Sequence, residues 1–198
     1  IVLIILVVIG FFGKPYFEEF LEEYLNSNNQ NNNGNHNHGG NDTIVSGELS
    51  IHFLELGNKY TGDSVYIKAG DTDILIDAGS RGNSADDITN YLNQYVTDNT
   101  LEYVIATHAH QDHIAGFVGT SSVSGIFDSF VSEVIIDFPM TNATSKVYQN
   151  YVTERDEEID AGAKHFTALD CYNNVNGGER IYTVSEGIEL EILYNYYY

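Results

Sequence analysis

The sequence predicts a layered α/β domain, the first half of a two-sheet sandwich, behind a leader of different composition. Three observations lead there. Short apolar runs of strand length recur from about residue 49 to 193. A helix-period pattern separates two of them at 84–96. Just past the end of one strand lies a cluster of histidines, at the place where α/β layers carry their sites.

The elements follow in order. Residues 49–56 nearly alternate between apolar and polar, which argues a strand. Residues 64–69 and 73–77 are two more strands, joined by the turn Ala69-Gly70-Asp71-Thr72. At 84–96, Ile88, Tyr91, Leu92 and Tyr95 supply an inward face, Ser84 an N-cap, and Asp86 and Asp87 a favourable first turn. A strand at 101–106 leads into the histidine cluster, after which Ile114-Ala115-Gly116 reads as a turn. Beyond it come a helix at 126–131 and a strand at 133–138, stopped by Pro139. A polar helical stretch at 143–165 follows, with Val147, Tyr151, Val152, Ile159 and Ala163 inward. Strands at 180–184 and 188–193, joined by Ser185-Glu186-Gly187, end the pattern.

The leader divides in two. Residues 1–25 hold an apolar run (1–12) and an amphipathic stretch with Tyr16, Phe17, Phe20, Leu21, Tyr24 and Leu25 on one face. The run reads as the end of a membrane anchor or signal helix, with a buried core strand as the plainer alternative; a full span needs about 20 residues. Residues 26–43 form an Asn-rich linker with no apolar content before Thr43, too poor in burial to offset its ordering entropy. His36 and His38 within it read as solvated. The globular part is 44–198. Ile1 in place of methionine, and Tyr196-Tyr197-Tyr198 straight after a strand, read as the ends of a fragment.

Composition narrows the function classes. Eight basic against 29 acidic residues give a formal charge of −21, which repels phosphate backbones and argues against tight nucleic-acid binding through the surface at large. The single cysteine, Cys171, excludes an internal disulfide and has no neighbour that would make it a nucleophile.

The chemistry lies in Thr107-His108-Ala109-His110-Gln111-Asp112-His113, which holds three of the seven histidines. Imidazole nitrogens and a carboxylate at about 2.0–2.2 Å are what zinc takes. The spacing lets a loop aim His108/His110 and Asp112/His113 at two different metals. This stretch resembles the HxHxDH motif of the metallo-β-lactamase-fold hydrolases, and Ile74-Leu75-Ile76-Asp77-Ala78-Gly79 resembles the strand and turn that precede it there. His52-Phe53-Leu54-Glu55-Leu56-Gly57, with Gly62-Asp63-Ser64, is similar to the opening strand of one branch, the extracytoplasmic domain of the ComEC-type DNA-uptake proteins. That branch usually has Asp at the position of Glu55 and a tighter turn before Asp63.

The resemblance implies the αββα four-layer sandwich of that superfamily, here its N-terminal part, and two zinc ions in the complete domain, with manganese as the alternative. His108 and His110 would hold one ion and Asp112 and His113 the other. Asp112 would also steer a catalytic water or accept its proton, while Asp77 and Thr107 would orient the histidine loop; a plain turn carboxylate is the other reading of Asp77. The substrate would be a nucleic acid or a small ester or amide, and the domain would face the extracytoplasmic side, tied to the membrane through residues 1–12. No protein partner is evident. The family's later histidine and bridging aspartate have no counterpart in context: His165 reads as exposed or structural, and Asp137 and Asp170 stand in the wrong surroundings. A catalytically incomplete metal-binding or surface-interaction module of the same fold is therefore the competing expectation.

Overall fold

The structure, a computed structural model, describes residues 2–6, 48–56 and 62–193, the first of these through their backbone. Six strands form a mixed sheet in the order β2-β3-β4-β5-β8-β9. They are β2 (Leu49–Phe53), β3 (Val65–Ala69), β4 (Thr72–Ile76), β5 (Thr100–Ile105), β8 (Val131–Asp137) and β9 (Lys164–Thr167). The first three run antiparallel through tight turns, and β4, β5, β8 and β9 run parallel. A second sheet joins β10 (Ile181–Ser185) to β11 (Ile188–Ile192), with β1 (Val2–Leu6) parallel to β11. Between them in sequence, β6 (Gly119–Thr120) and β7 (Val123–Ser124) make a short hairpin.

Period-two alternation sends successive side chains of the large sheet to two different cores. Leu75, Val104 and Ile135 face the helices α1 (Ser84–Leu92), α2 (Gln111–Val118), α3 (Ile126–Ser129) and α4 (Lys146–Ala161), where they meet Ile88, Leu92, Ile114, Phe117, Ile126 and Tyr151. Ile74, Ile76, Ile105 and Ile136 face the other way, onto Tyr182, Val184, Ile188, Leu190 and Ile192 of the second sheet and Ala168 and Cys171 of α5 (Ala168–Asn173). Covering on both faces explains why the central strands read as continuous apolar runs. Each such side chain contributes roughly 1.5–3 kcal/mol by leaving water.

Several expectations shift. Helix α1 ends at Leu92, with Asn93 as C-cap, and the N-cap is Asn83 while Ser84 is buried as the first helical residue. The stretch expected to turn at 114–116 continues as helix α2. The long helix stops at Gly162, whose φ of +122° a side chain would resist, and the chain re-enters the sheet as β9. Thr167 then caps α5, its hydroxyl accepting from Asp170 N at 3.1 Å while Asp170 accepts from the Thr167 N–H. The strand β1 takes five residues of the apolar run that the sequence reads first as a membrane or signal helix; the rest of that run, the amphipathic stretch at 16–25 and the linker with His36 and His38 lie outside the described residues. Among the described residues no helix is long and apolar enough to cross a membrane.

Candidate metal centre

The parallel register fixes where the polar residues gather. Ile76 stands beside Ile105, and Ile105 beside Ile136, so β4, β5 and β8 finish along one edge of the sheet. Asp77 follows β4 and Thr107 lies two residues past β5.

Asp77 leaves its strand with φ of +58°, a left-handed turn that aspartate tolerates better than most residues. Its own N–H still donates to Ile105 O at 2.8 Å. The buried carboxylate accepts from Thr107 N at 2.8 Å and from the Thr107 hydroxyl at 2.7 Å. It also meets His113 Nδ1 at 2.6 Å. An acceptor at Nδ1 keeps the proton there and leaves the electron pair of Nε2 facing outward.

The motif is half extended chain and half helix. His110 is extended, with φ −74° and ψ 146°, and its carbonyl accepts from His113 N at 3.0 Å and Ile114 N at 3.2 Å, starting α2. Asp112 falls in the first turn, where a negative charge suits the helix dipole. Helix α2 is tied down by Ala78 N donating to His113 O at 2.7 Å, and Gly116 lets it lie against Ala78, since a Cβ there would run into the Ala78 carbonyl. A fourth segment closes over this one. Asp63 N donates to Asp112 O at 3.2 Å and Asp63 O accepts from Gly79 N at 2.9 Å. That approach requires Gly62, where a Cβ would stand 2.5 Å from Ser80 N.

These ties bring His108, Asp112 and His113 together, with one ligand atom of each within 4.8 Å of the others. The His108 and His113 rings are 3.9 Å apart between centroids, and His108 and His110 4.7 Å. Two carboxylate oxygens flank His113 Nε2, Asp112 Oδ2 at 3.7 Å and Asp63 Oδ2 at 3.9 Å. Nitrogen and oxygen donors at such separations suit zinc or another borderline cation.

The electrostatics separate the imidazoles. Burial, aided by the neighbouring His113 and His110, lowers His108 to about 4 against the pull of Asp112. Burial alone would lower His113 too, but the hydrogen-bonded Asp77 and the charges of Asp112 and Asp63 outweigh it and raise it above its ordinary value. Burial also raises the Asp77 carboxyl, opposed by its His113 and Thr107 donors. One proton serves this pair. With the N–H and hydroxyl of Thr107 both donating to Asp77, we place it on His113 Nδ1.

His108 joins Asp112 and His113, and His110 stays outside that group. Residues i and i+2 of an extended chain share a side, which keeps the His108 and His110 rings 4.7 Å apart, while the turn of α2 carries Asp112 and His113 back beside His108. His165 sits elsewhere, its Nε2 2.9 Å from Asp137 Oδ1. Asp137, fully buried, also accepts from Arg155 Nη1 at 2.9 Å and from the Tyr151 hydroxyl at 3.4 Å. His52 bonds to the Tyr91 hydroxyl at 2.7 Å and to Ser50 Oγ at 2.8 Å. The sequence gives Asp63 no role; the one available signal is its place in the Gly62-Asp63-Ser64 stretch.

Residues 57–125 match the family model described as the metallo-beta-lactamase superfamily. The matched segment holds Asp63, Asp77 and all of 107–113. The mixed sheet with helices on one face and a second sheet on the other agrees with that superfamily's fold. No curated protein matches the chain.

Proposed function

We propose that the chain is a metal-dependent hydrolase whose centre is built on His108, His110, Asp112 and His113. The observation that carries this is the convergence of one donor atom each from His108, Asp112 and His113 within 4.8 Å. It lies inside a segment matching the metallo-beta-lactamase superfamily. We take the metal to be a zinc pair, with manganese as the alternative. When bound, such a pair supplies an activated water near neutral pH and polarises the scissile group.

The chain's own residues prepare that chemistry. Asp77 holds the Nδ1 proton of His113, so Nε2 is free to ligate without a tautomer change. Thr107 pins both oxygens of Asp77 through its N–H and hydroxyl, which fixes the imidazole plane. His108 stays neutral down to about pH 4 and is therefore ready as a ligand across the physiological range. Asp112, open to solvent beside His113 Nε2, is placed to accept the proton of an attacking water.

For the substrate we propose a phosphodiester, ester or amide, as in ComEC-like relatives of the motif. The charge of −21 favours small or metal-bridged substrates over a long polyanion. We place the domain on the extracytoplasmic side, exported or tied to the membrane through residues 1–12; a membrane tie requires Val2–Leu6 to leave their pairing with β11. Fractionation tests this, since full-length unprocessed chain in the cytoplasm would refute it. The competing reading is a non-catalytic metal-binding module, favoured by the engagement of His165 with Asp137 rather than with the motif.

One experiment decides between them. The full chain, purified without chelator, is analysed for metals and assayed on bis-p-nitrophenyl phosphate and p-nitrophenyl acetate. About two zinc or manganese ions per chain are expected, with hydrolysis that is lost together with one ion in His108→Ala/His110→Ala. Bound metal without turnover supports the module, and absence of metal refutes both.

A further inference from the structure

Asp63 is held in an unusual way for an exposed loop residue. Its side chain is 77% exposed, yet both its backbone groups are committed to the centre, N–H to Asp112 O and carbonyl to Gly79 N. Gly62 exists in a form that admits no side chain, so the loop is brought as close as it can come. The result is a backbone anchored at the motif, from which an exposed carboxylate reaches His113. Its Oδ2 lies 3.9 Å from His113 Nε2, the nitrogen whose electron pair Asp77 turns outward, and Asp112 Oδ2 lies 3.7 Å from the same atom. The ion pairs drawn by both carboxylates among the described residues are with His113. Two like charges crowding one imidazole repel each other unless a cation lies between them.

We propose that Asp63 is a metal donor, sharing one ion with Asp112 and His113. This rests on the reading of 107–113 as a metal centre and deepens it. Donors about 2.0–2.2 Å from a tetrahedral ion stand roughly 3.3–3.6 Å apart, from the geometry of the tetrahedron. The two edges to Nε2, 3.7 and 3.9 Å, need a contraction of only a few tenths of an ångström; Asp63 stands outside the group of donors within 4.8 Å of one another, so its exposed carboxylate must also swing towards Asp112. The assignment adds a further carboxylate donor to the ion held at Asp112 and His113. It also makes that position, with two carboxylates and one imidazole, the harder of the two sites and the one better suited to manganese.

The test uses the full chain, with zinc chloride or manganese chloride as the only added ligand. Asp63→Asn keeps both backbone bonds and the shape of the side chain. It should weaken the lower-affinity ion at least tenfold, as loss of a coordinating group must exceed the roughly 10–100-fold cost of an outer contact at its lower limit. Manganese should suffer more than zinc, while the metal-free melting temperature stays that of wild type. Asp86→Asn, on the exposed side of α1, should bind as wild type does. In the wild-type chain, substoichiometric manganese should broaden the Asp63 carboxyl carbon resonance together with that of Asp112. Equal affinities of Asp63→Asn and wild type, or an unbroadened Asp63 carboxyl beside a broadened Asp112, overturn the assignment alone. A wild-type chain that binds neither ion overturns it together with the reading on which it rests.

Discussion

Replacing Asp77 by Asn tests the wiring of the centre, because it changes one atom and leaves the shape. Asp77 accepts at both oxygens: Thr107 N at one, the Thr107 hydroxyl and His113 Nδ1 at the other. An amide can satisfy only one of these sides. If its oxygen stays with Thr107 N, the NH₂ meets the Nδ1–H of His113. The imidazole must then move its proton to Nε2, which blocks that atom as a ligand. If the amide flips, the NH₂ faces the buried Thr107 N–H, and an unsatisfied buried donor costs about 1–3 kcal/mol. The first route lowers zinc affinity about 10–100-fold, equivalent to roughly 1.4–2.8 kcal/mol at 1.4 kcal/mol per tenfold, whereas the second keeps the His113 tautomer and lowers fold stability instead. The assay is competition against a chromogenic chelator, with ¹⁵N imidazole spectra of the metal-free protein read alongside. Wild type should show His113 with its proton on Nδ1 and the variant should show it on Nε2 or a lower melting temperature. Zinc affinity within threefold of wild type, with both the His113 tautomer and the melting temperature unchanged, would refute the role given to Asp77.

Two further predictions concern the metal-free protein. His113 has a raised folded value, so its contribution is complete below the unfolded imidazole value of about 6.5 and is lost as pH rises through the folded one. His108, lowered to about 4, contributes in the opposite sense and is lost as pH falls from about 6.5 towards 4, so the joint contribution peaks near 6.5. Urea midpoints across pH 4–9 check this: His108→Asn should remove part of the acid-side fall and His113→Asn part of the alkaline-side one, and variants parallel to wild type would contradict it. Arg155→Met should destabilise the fold by about 3 kcal/mol, the lower end for stripping one partner from a buried charge, because His165 and Tyr151 remain on Asp137. Chemical denaturation measures it, and a loss under 1 kcal/mol would show that Asp137 does not depend on the ion pair.

Much of the layer structure is legible because it follows from burial. The alternation of Ile74, Leu75 and Ile76 sends neighbours to two cores, and a strand buried on both faces has to be apolar throughout. The misreadings fall where a residue answers to a distant partner. Gly116 looks like a turn in one dimension. In the fold it is the smallest surface that α2 can offer to the Ala78 carbonyl, and the helix runs through it. Ile114, Phe117 and Val118, spaced three and four apart, carry the helical signal that the glycine obscures. Gly162 errs in the other direction: within a polar helical stretch it reads as one more residue, yet its left-handed conformation ends α4 and frees Lys164–Thr167 to pair with β8.

The centre shows the same division. The spacing of 107–113 names the donors, but their grouping depends on where α2 begins, and that depends on Asp77 and Ala78, some 30 residues earlier. Asp77 N bonds to Ile105 O at 2.8 Å and Ala78 N to His113 O at 2.7 Å, so the strand end of β4 grips both the start and the finish of the motif. Asp63 is carried into place by the same strand end, through Gly79 N. The geometry of the centre is therefore a property of the β4–β5 register. A single-residue slip in that register would carry Asp77 away from Thr107 and His113, and Asp63 away from Asp112, without altering any residue of the motif.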